Sequence, residues 1–193
     1  MSRLLAGIVV LSFVLAPVQA SAQYIDFDGT GAPCDRTLTT PLTTYYQALG
    51  VTFGGKGHIL NECAGYGVNA LSGSQFWAFF HPNAPGIATI SFLNPVQSFS
   101  IWASGGSEAM AFNVEFFDGN GISQGVTGFG SGAYAWEEIS LTAPEISRVE
   151  IFGFEVGFVF DDLNASVVPE PSTVILLGTG LLGMAFMART LYA

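Results

Sequence analysis

Between residues 23 and 167, apolar and polar side chains alternate with a period of two. Phe112, Val114 and Phe116 alternate with Asn113 and Glu115; Phe99 and Ile101 with Ser98, Ser100 and Trp102; Val149 and Ile151 with Arg148 and Glu150. Successive side chains of a strand point to opposite faces, so this is the pattern of strands with one covered face. It predicts strands over residues 23–28, 51–53, 75–80, 88–93, 98–103, 110–118, 136–141, 148–152 and 157–163. No stretch of this region holds a helical period. Clusters rich in glycine at 54–55, 105–106, 118–121 and 128–132 supply turn chemistry between the runs. Short strands separated by turns predict an all-β fold: an antiparallel β-sandwich, jelly-roll-like, with about eight strands in two sheets.

The pattern changes at both ends. Arg3 precedes an apolar block over residues 4–15, Pro17 breaks the block, and Ala20-Ser21-Ala22 has the form of a signal-peptidase cleavage site. Residues 1–22 therefore read as a secretory signal peptide, with the mature chain beginning at Gln23. At the other end, residues 174–188 are apolar and uncharged, and Arg189 ends the run. Pro169 and Pro171 hold their neighbours extended, and Ser172 or Thr173 suits an N-cap for a helix that follows. A full bilayer span takes about 20 apolar residues. This run spans only with residues 172–173 and 190–193 in the interface and Arg189 snorkelling. The expected organisation is a signal peptide at 1–22, a β-sandwich domain at 23–167 and a tail at 168–193 whose transmembrane helix covers 174–188.

The order of the tail, Pro169-Glu170-Pro171, then the apolar run, then Arg189, closely resembles the PEP-CTERM sorting signal of exopolysaccharide-producing Gram-negative bacteria. That family usually ends in an Arg cluster, where here Arg189 stands alone. The resemblance implies an exported protein, anchored in the inner membrane through its C-terminal helix as an intermediate. A membrane-embedded exosortase-like enzyme would act near the motif and send the protein to the cell surface or extracellular matrix. Asp26-Phe27-Asp28-Gly29, residues 46–53 and 94–99, and Phe160-Asp161-Asp162-Leu163 resemble the β-rich domains often found upstream of such tails, which look like carbohydrate-binding sandwiches. The implied role is a non-catalytic, exopolysaccharide-associated or carbohydrate-binding module; the alternative is a purely structural surface protein.

Charge narrows the partners. The chain carries 5 basic against 15 acidic residues, a formal net charge of −10. Within the predicted domain the basic residues are Arg36, Lys56 and Arg148. Such a domain repels phosphate backbones, which argues against nucleic acid and suits divalent cations or neutral sugars. Cys34 and Cys63 both lie in the exported part, where an oxidising compartment favours a disulfide. A catalytic Cys-His pair with His58 or His81 is the sharper alternative.

Two acidic pairs are the candidate metal ligands: Asp26 with Asp28, and Asp161 with Asp162. First and last strands of a jelly roll commonly lie close together, and carboxylates converging there suit a structural Ca²⁺, which takes six to eight oxygens. Strand alternation puts Asp161 and Asp162 on opposite faces, so only one of them joins a given cluster directly. The plainer alternative is that these aspartates cap backbone amides. Asp26-Phe27-Asp28-Gly29-Thr30 also resembles the first motif of haloacid-dehalogenase-like phosphatases, with Lys56 and Asp161-Asp162 to complete the site. That family needs a buried strand before the motif and alternating helices, which the pattern lacks. The same stretch opens like an EF-hand loop, but Thr37 stands where that loop needs Glu. Gly121-Ile122-Ser123-Gln124-Gly125 spells a nucleophile elbow without a following helix. Residues 178–183 spell a dinucleotide fingerprint without a preceding strand or a later acid, so helix packing explains their small side chains better. Of the aromatic residues, Trp102 is out of phase with Phe99 and Ile101 and so faces outward, and Tyr134 lies in a turn-like stretch. Outward rings of this kind are platforms for stacking on sugar faces, which makes Trp102 and Tyr134 the candidate ligand-binding residues.

Overall fold

Two long strands carry the fold through both of its layers. In the computed structural model they are β5, Ile87–Ser104, and β8, Glu137–Phe152. The other strands are β1 (Ala22–Ile25), β2 (Val51–Gly54), β3 (His58–Asn61), β4 (Gln75–Phe79), β6 (Met110–Phe117), β7 (Ser123–Ser131) and β9 (Phe158–Val167). The structure describes residues 22–39, 41–79, 86–105, 109–153, 157–167 and 178. All but Gly178 belong to the unit Ala20–Val168, one of two into which the chain divides. Gly178, inside the predicted transmembrane run, is helical. The sorting motif, the rest of that run and the predicted signal peptide up to Ser21 lie outside the described residues. Among the described residues no helix is long and apolar enough to cross a membrane.

All pairings between the strands are antiparallel. The first half of β5 lies between β2 and the second half of β8, which leads on to β6 and β7. The second half of β5 lies between β9 and the first half of β8. The far edge of β9 is shared: β4 takes residues 158–160, with β3 beyond it, and β1 takes residues 163–166. The two layers face each other across an aromatic and aliphatic core. Phe53 meets Trp77 with ring centroids 5.0 Å apart, and Phe112 meets Phe158 at 4.7 Å. The result is an all-β, antiparallel, jelly-roll-like sandwich.

The corners explain where the sequence pattern misleads. Pro95 sits in β5 and Pro144 in β8. The β5–β8 register shifts between Ser91 and Val96 and again between Val96 and Ser98. Proline cannot donate to a ladder and is confined to bulges and edges inside sheets, so both positions read as loops and split each long strand in two. Val96 and Ile146 pair at this corner and are fully buried. Strands β3 and β7 escape the pattern because one is four residues long and the other is built largely of glycine, serine and threonine.

The predicted disulfide is present. Cys34 and Cys63 are bonded with their Cα atoms 5.0 Å apart, and no free cysteine remains among the described residues. A crosslink closing 29 residues restricts the unfolded chain by roughly 3 kcal/mol. Replacing both cysteines with serine is therefore expected to lower the thermal midpoint, and reductant should do the same to the parent chain. An unchanged midpoint in calorimetry would contradict this.

Candidate functional site

The candidate site lies on the outer face of the layer formed by β3, β4, β9 and the paired halves of β5 and β8. On the inner face Phe158, Phe160, Leu163 and Ala165 of β9 enter the main core. On the outer face Val159 joins Leu60, Phe76 and Ala78 in a second apolar cluster, roofed by Tyr66, Val68, Ala70 and Trp136. Tyr66, Val68 and Ala70 belong to the loop between β3 and β4, which folds back over the sheet.

This loop is pinned at both ends. At its start the Asn61 side chain accepts from the Cys63 amide at 3.1 Å, and the disulfide ties Cys63 to the 30s segment. In the middle the Tyr66 hydroxyl donates to the Phe79 carbonyl at 2.9 Å. At its end aspartates take over. One Asp161 oxygen accepts from the amides of Leu71, at 2.8 Å, and Ser72, at 3.3 Å, and the other accepts from the Asp162 amide at 2.9 Å. Asp162 Oδ1 accepts from the hydroxyls of Ser72 and Tyr24, both at 2.6 Å. Asp28 Oδ1 accepts from the Ser74 amide at 3.0 Å, and Asp26 Oδ1 accepts from the Asp28 amide at 3.1 Å. Gly73, at φ +55°, passes so close to the Asp28 carboxylate that any Cβ there would collide with it.

The structure thus brings all four predicted aspartates to one seam, where β9 changes partner from β4 to β1. Alternation placed Asp161 and Asp162 on opposite faces. The structure corrects this: both side chains engage the same loop. The β5–β9 register slips between Ser100 and Trp102, and Asp162 has φ +47°. This bulge turns the second carboxylate back toward the first. The left-handed Phe27, at φ +58°, breaks the extended chain between Asp26 and Asp28 in the same way and drops its ring into the core against Tyr46, Phe53 and Trp77.

Electrostatics at the seam are tense. Asp161 is fully buried, and burial pushes its carboxyl up to about 7, against the lowering effect of the backbone amides of Ser72, Asp162 and Leu71. Burial likewise pushes the Tyr46 phenol well above its ordinary value, helped by Asp26, Tyr45, Asp28 and Asp161. Among the described residues no group of three or more His, Cys, Asp or Glu side chains is arranged to hold a metal ion. The bonds described above use the aspartates as acceptors for amides and hydroxyls.

The pinned loop forms one wall of a cleft of about 350 Å³, lined by residues 67–71, Tyr134 and Trp136. Trp136 Nε1 donates to the Asn69 carbonyl at 3.3 Å, which fixes the indole against the loop. Tyr134 has φ +55° and is 63% exposed. A non-glycine residue held in the left-handed region with its ring in solvent is a strained position. Trp102 is half-buried on the same outer face, paired with Glu138 of β8 and Asp161 of β9. Trp136 lies just before β8, two residues from Glu138, the residue that pairs with Trp102. Further along lies a second hollow of about 250 Å³, lined by residues of β1, β5, β8 and β9 that include Ser98, Ser140 and Asn164 beside Phe99 and Ala165. Sequence reasoning flagged Tyr134 and Trp102 but missed Trp136 and the loop wall. The alternation that starts at Trp136 carried the signal for the first; the loop has none.

Another hollow, about 420 Å³, lies elsewhere, between the 30–45 segment and Ile59. Thr39 Oγ1 and His58 Nδ1 are 3.0 Å apart near it. Ser123, the middle residue of the elbow-like motif, begins β7, and a strand follows where an elbow needs a helix. His81 lies outside the described residues.

The geometry defines an all-β domain with an aromatic cleft on one sheet face. The family model of the PEP-CTERM protein-sorting motif matches residues 167–189. The chain is a PEP-CTERM motif-bearing protein, and the motif marks it as exported. No curated protein matches the chain. Among solved structures, the CBM22-1 xylan-binding domain of Paenibacillus barcinonensis Xyn10C is similar at 18% identity, covering 69% of this chain and 94% of that one, with a TM-score of 0.42. The Y46A mutant of the carbohydrate-binding module CBM29-2 is similar at 10% identity, covering 77% and 93%, with a TM-score of 0.37. TmCBM61, in complex with β-1,4-galactotriose, is similar at 11% identity, covering 66% and 94%, with a TM-score of 0.35. The architecture described above is defined by its own strand pairing and not by these likenesses.

Proposed function

We propose that the protein is a non-catalytic component of a cell surface or extracellular matrix, and that its β-sandwich holds a neutral exopolysaccharide chain in the cleft of Tyr134 and Trp136. An exosortase-like membrane enzyme processes it near Pro169-Glu170-Pro171, after the tail has held it at the inner membrane of a Gram-negative bacterium. The observation that carries the sugar reading is the cleft itself. It offers two aromatic faces, one locked by a hydrogen bond to Asn69 and one held out in solvent, beside a loop pinned by a disulfide and by aspartates. Rigid aromatic walls with a few fixed polar groups are how proteins bind sugars. An acidic domain suits neutral chains better than anionic ones.

The test is binding of the full chain, in mild detergent, to the producing organism's own exopolysaccharide. Saturable binding is expected, and Trp136→Ala should weaken it by about tenfold, the loss of roughly 1.4 kcal/mol of stacking. Trp102→Ala should weaken it less. Binding that persists undiminished in Trp136→Ala would move the site elsewhere. No binding by the folded parent chain would leave a purely structural surface protein as the better reading. Running the same titration with chelator decides whether Ca²⁺ acts at Asp26, Asp28, Asp161 and Asp162: the amide-filled seam leads us to expect no change.

A further inference from the structure

We propose that the protein pairs with a second copy of itself edge to edge through β7, the two strands running antiparallel about a two-fold axis at Thr127. Strand β7 pairs only with β6, and among the described residues nothing pairs its other edge. Its nine residues, SQGVTGFGS, contain no charge and no proline. Open strand edges are templates for another strand, and proteins normally block them with charges, prolines or covering segments. Several other edges of this fold are covered or charged. The Phe53 amide of β2 donates to the Thr43 carbonyl at 2.8 Å, and Pro41 bridges to His58 of β3. The open part of β8 carries Glu137 and Glu138.

The main core also runs out at β7, where Phe116 and Phe129 are only partly buried. A second copy continues it. Full overlap of Ser123–Ser131 with itself fixes the register, with Thr127 opposite Thr127. Phe129 then faces Gly125, Val126 faces Gly128, and Gln124 faces Gly130. Each larger side chain meets a glycine. The Phe116 ring already leans over Gly125, since a Cβ there would lie 3.1 Å from it, so Phe129 of the second copy would close against Phe116. A chain of net charge −10 opposes its own association, and an uncharged strand is where two copies approach at least cost. One strand edge covers less than the roughly 1,200 Å² of a stable specific interface. The pair is therefore weak in dilute solution and grows where copies are held at high local concentration, as on a surface.

The experiment uses the full chain in mild detergent. Because Cys34 and Cys63 are paired, an introduced cysteine is the only thiol. Thr127→Cys places two thiols opposite each other in this register, within disulfide reach. Gln124→Cys places them about 20 Å apart. Under mild oxidation Thr127→Cys is expected to give a covalent dimer on a non-reducing gel and Gln124→Cys little. Equal crosslinking of both, or none in Thr127→Cys at concentrations where the parent sediments as a dimer, would overturn the register. As a second measurement, Val126→Lys should weaken self-association by about tenfold in sedimentation while melting like the parent. A parent that stays monomeric at every concentration, or a Val126→Lys chain that associates as well as the parent, would overturn the proposal.

Discussion

Trp77→Ala is expected to destabilise the domain by about 3–5 kcal/mol, the range for emptying a large aromatic site in a packed core. Trp77 is fully buried, and its ring lies 4.8 Å from Phe79, 5.0 Å from Phe53 and 5.4 Å from Phe160. Those partners come from β2, β4 and β9, so the cavity would loosen both layers at once. The surroundings cannot collapse easily, because Gly57 already presses its backbone against the indole: a Cβ at Gly57 would collide with the Trp77 and Phe79 rings. Against a total stability of roughly 5–15 kcal/mol, the loss should shift the thermal midpoint by about 10 °C or more. Trp77→Phe should cost clearly less. The indole N–H is buried without a hydrogen-bond partner among the described residues, so phenylalanine removes a dissatisfied donor as it loses volume. Calorimetry of the two variants checks the ranking, and equal losses would show that a phenyl ring recovers none of the lost packing.

The second large effect is a pH dependence centred on Asp161. Its carboxyl is raised from an ordinary value of 3.8 to about 7, chiefly by burial. The folded state therefore holds a proton that the unfolded state gives up in the window between them. Stability from this group is fully present below the unfolded value and is lost as pH rises through about 7. The thermal midpoint is expected to fall from pH 5 to pH 8, by an amount that Asp161→Asn removes. That variant should also lose hydrogen bonding, because its side-chain NH2 donates and cannot accept from the backbone N–H that now faces one of the carboxylate oxygens. A flat parent profile would show that those amides, and not burial, set the carboxyl's charge. Because Leu71, whose amide Asp161 holds, lines the aromatic cleft, the proposed sugar binding should respond to the same substitution.

Much of this was legible in the sequence, for reasons that particular residues make plain. The alternation over residues 110–118 identified β6 because one face of that strand is core and the other solvent. The alternations over 98–103 and 148–152 located the halves of β5 and β8 but not their continuity. Pro95 and Pro144 look like breaks, and only the buried pairing of Val96 with Ile146 shows that the chain turns a corner there. The aspartate seam was half legible. Its members stood out, but the bulge at Asp162 and the left-handed Phe27 depend on long-range pairing that no local pattern records. For the cleft, Tyr134 was visible as an aromatic residue in a turn-like stretch, and Trp102, on the same sheet face, as one out of phase with Phe99 and Ile101. The wall at residues 67–71 was not, since its position is set by a disulfide, by Asp161 and by apolar contacts under the loop.

The pairing of β9 has a mechanical consequence. The strand ends at Val167, immediately before the sorting motif, and is hydrogen-bonded on one side to β5 and on the other to β4 and β1. Tension applied through the chain beyond residue 167 would load β9 along its length. Its bonds to three neighbours would then have to shear together instead of unzipping one at a time. A domain tethered this way resists pulling by its unfolding rate more than by its equilibrium stability.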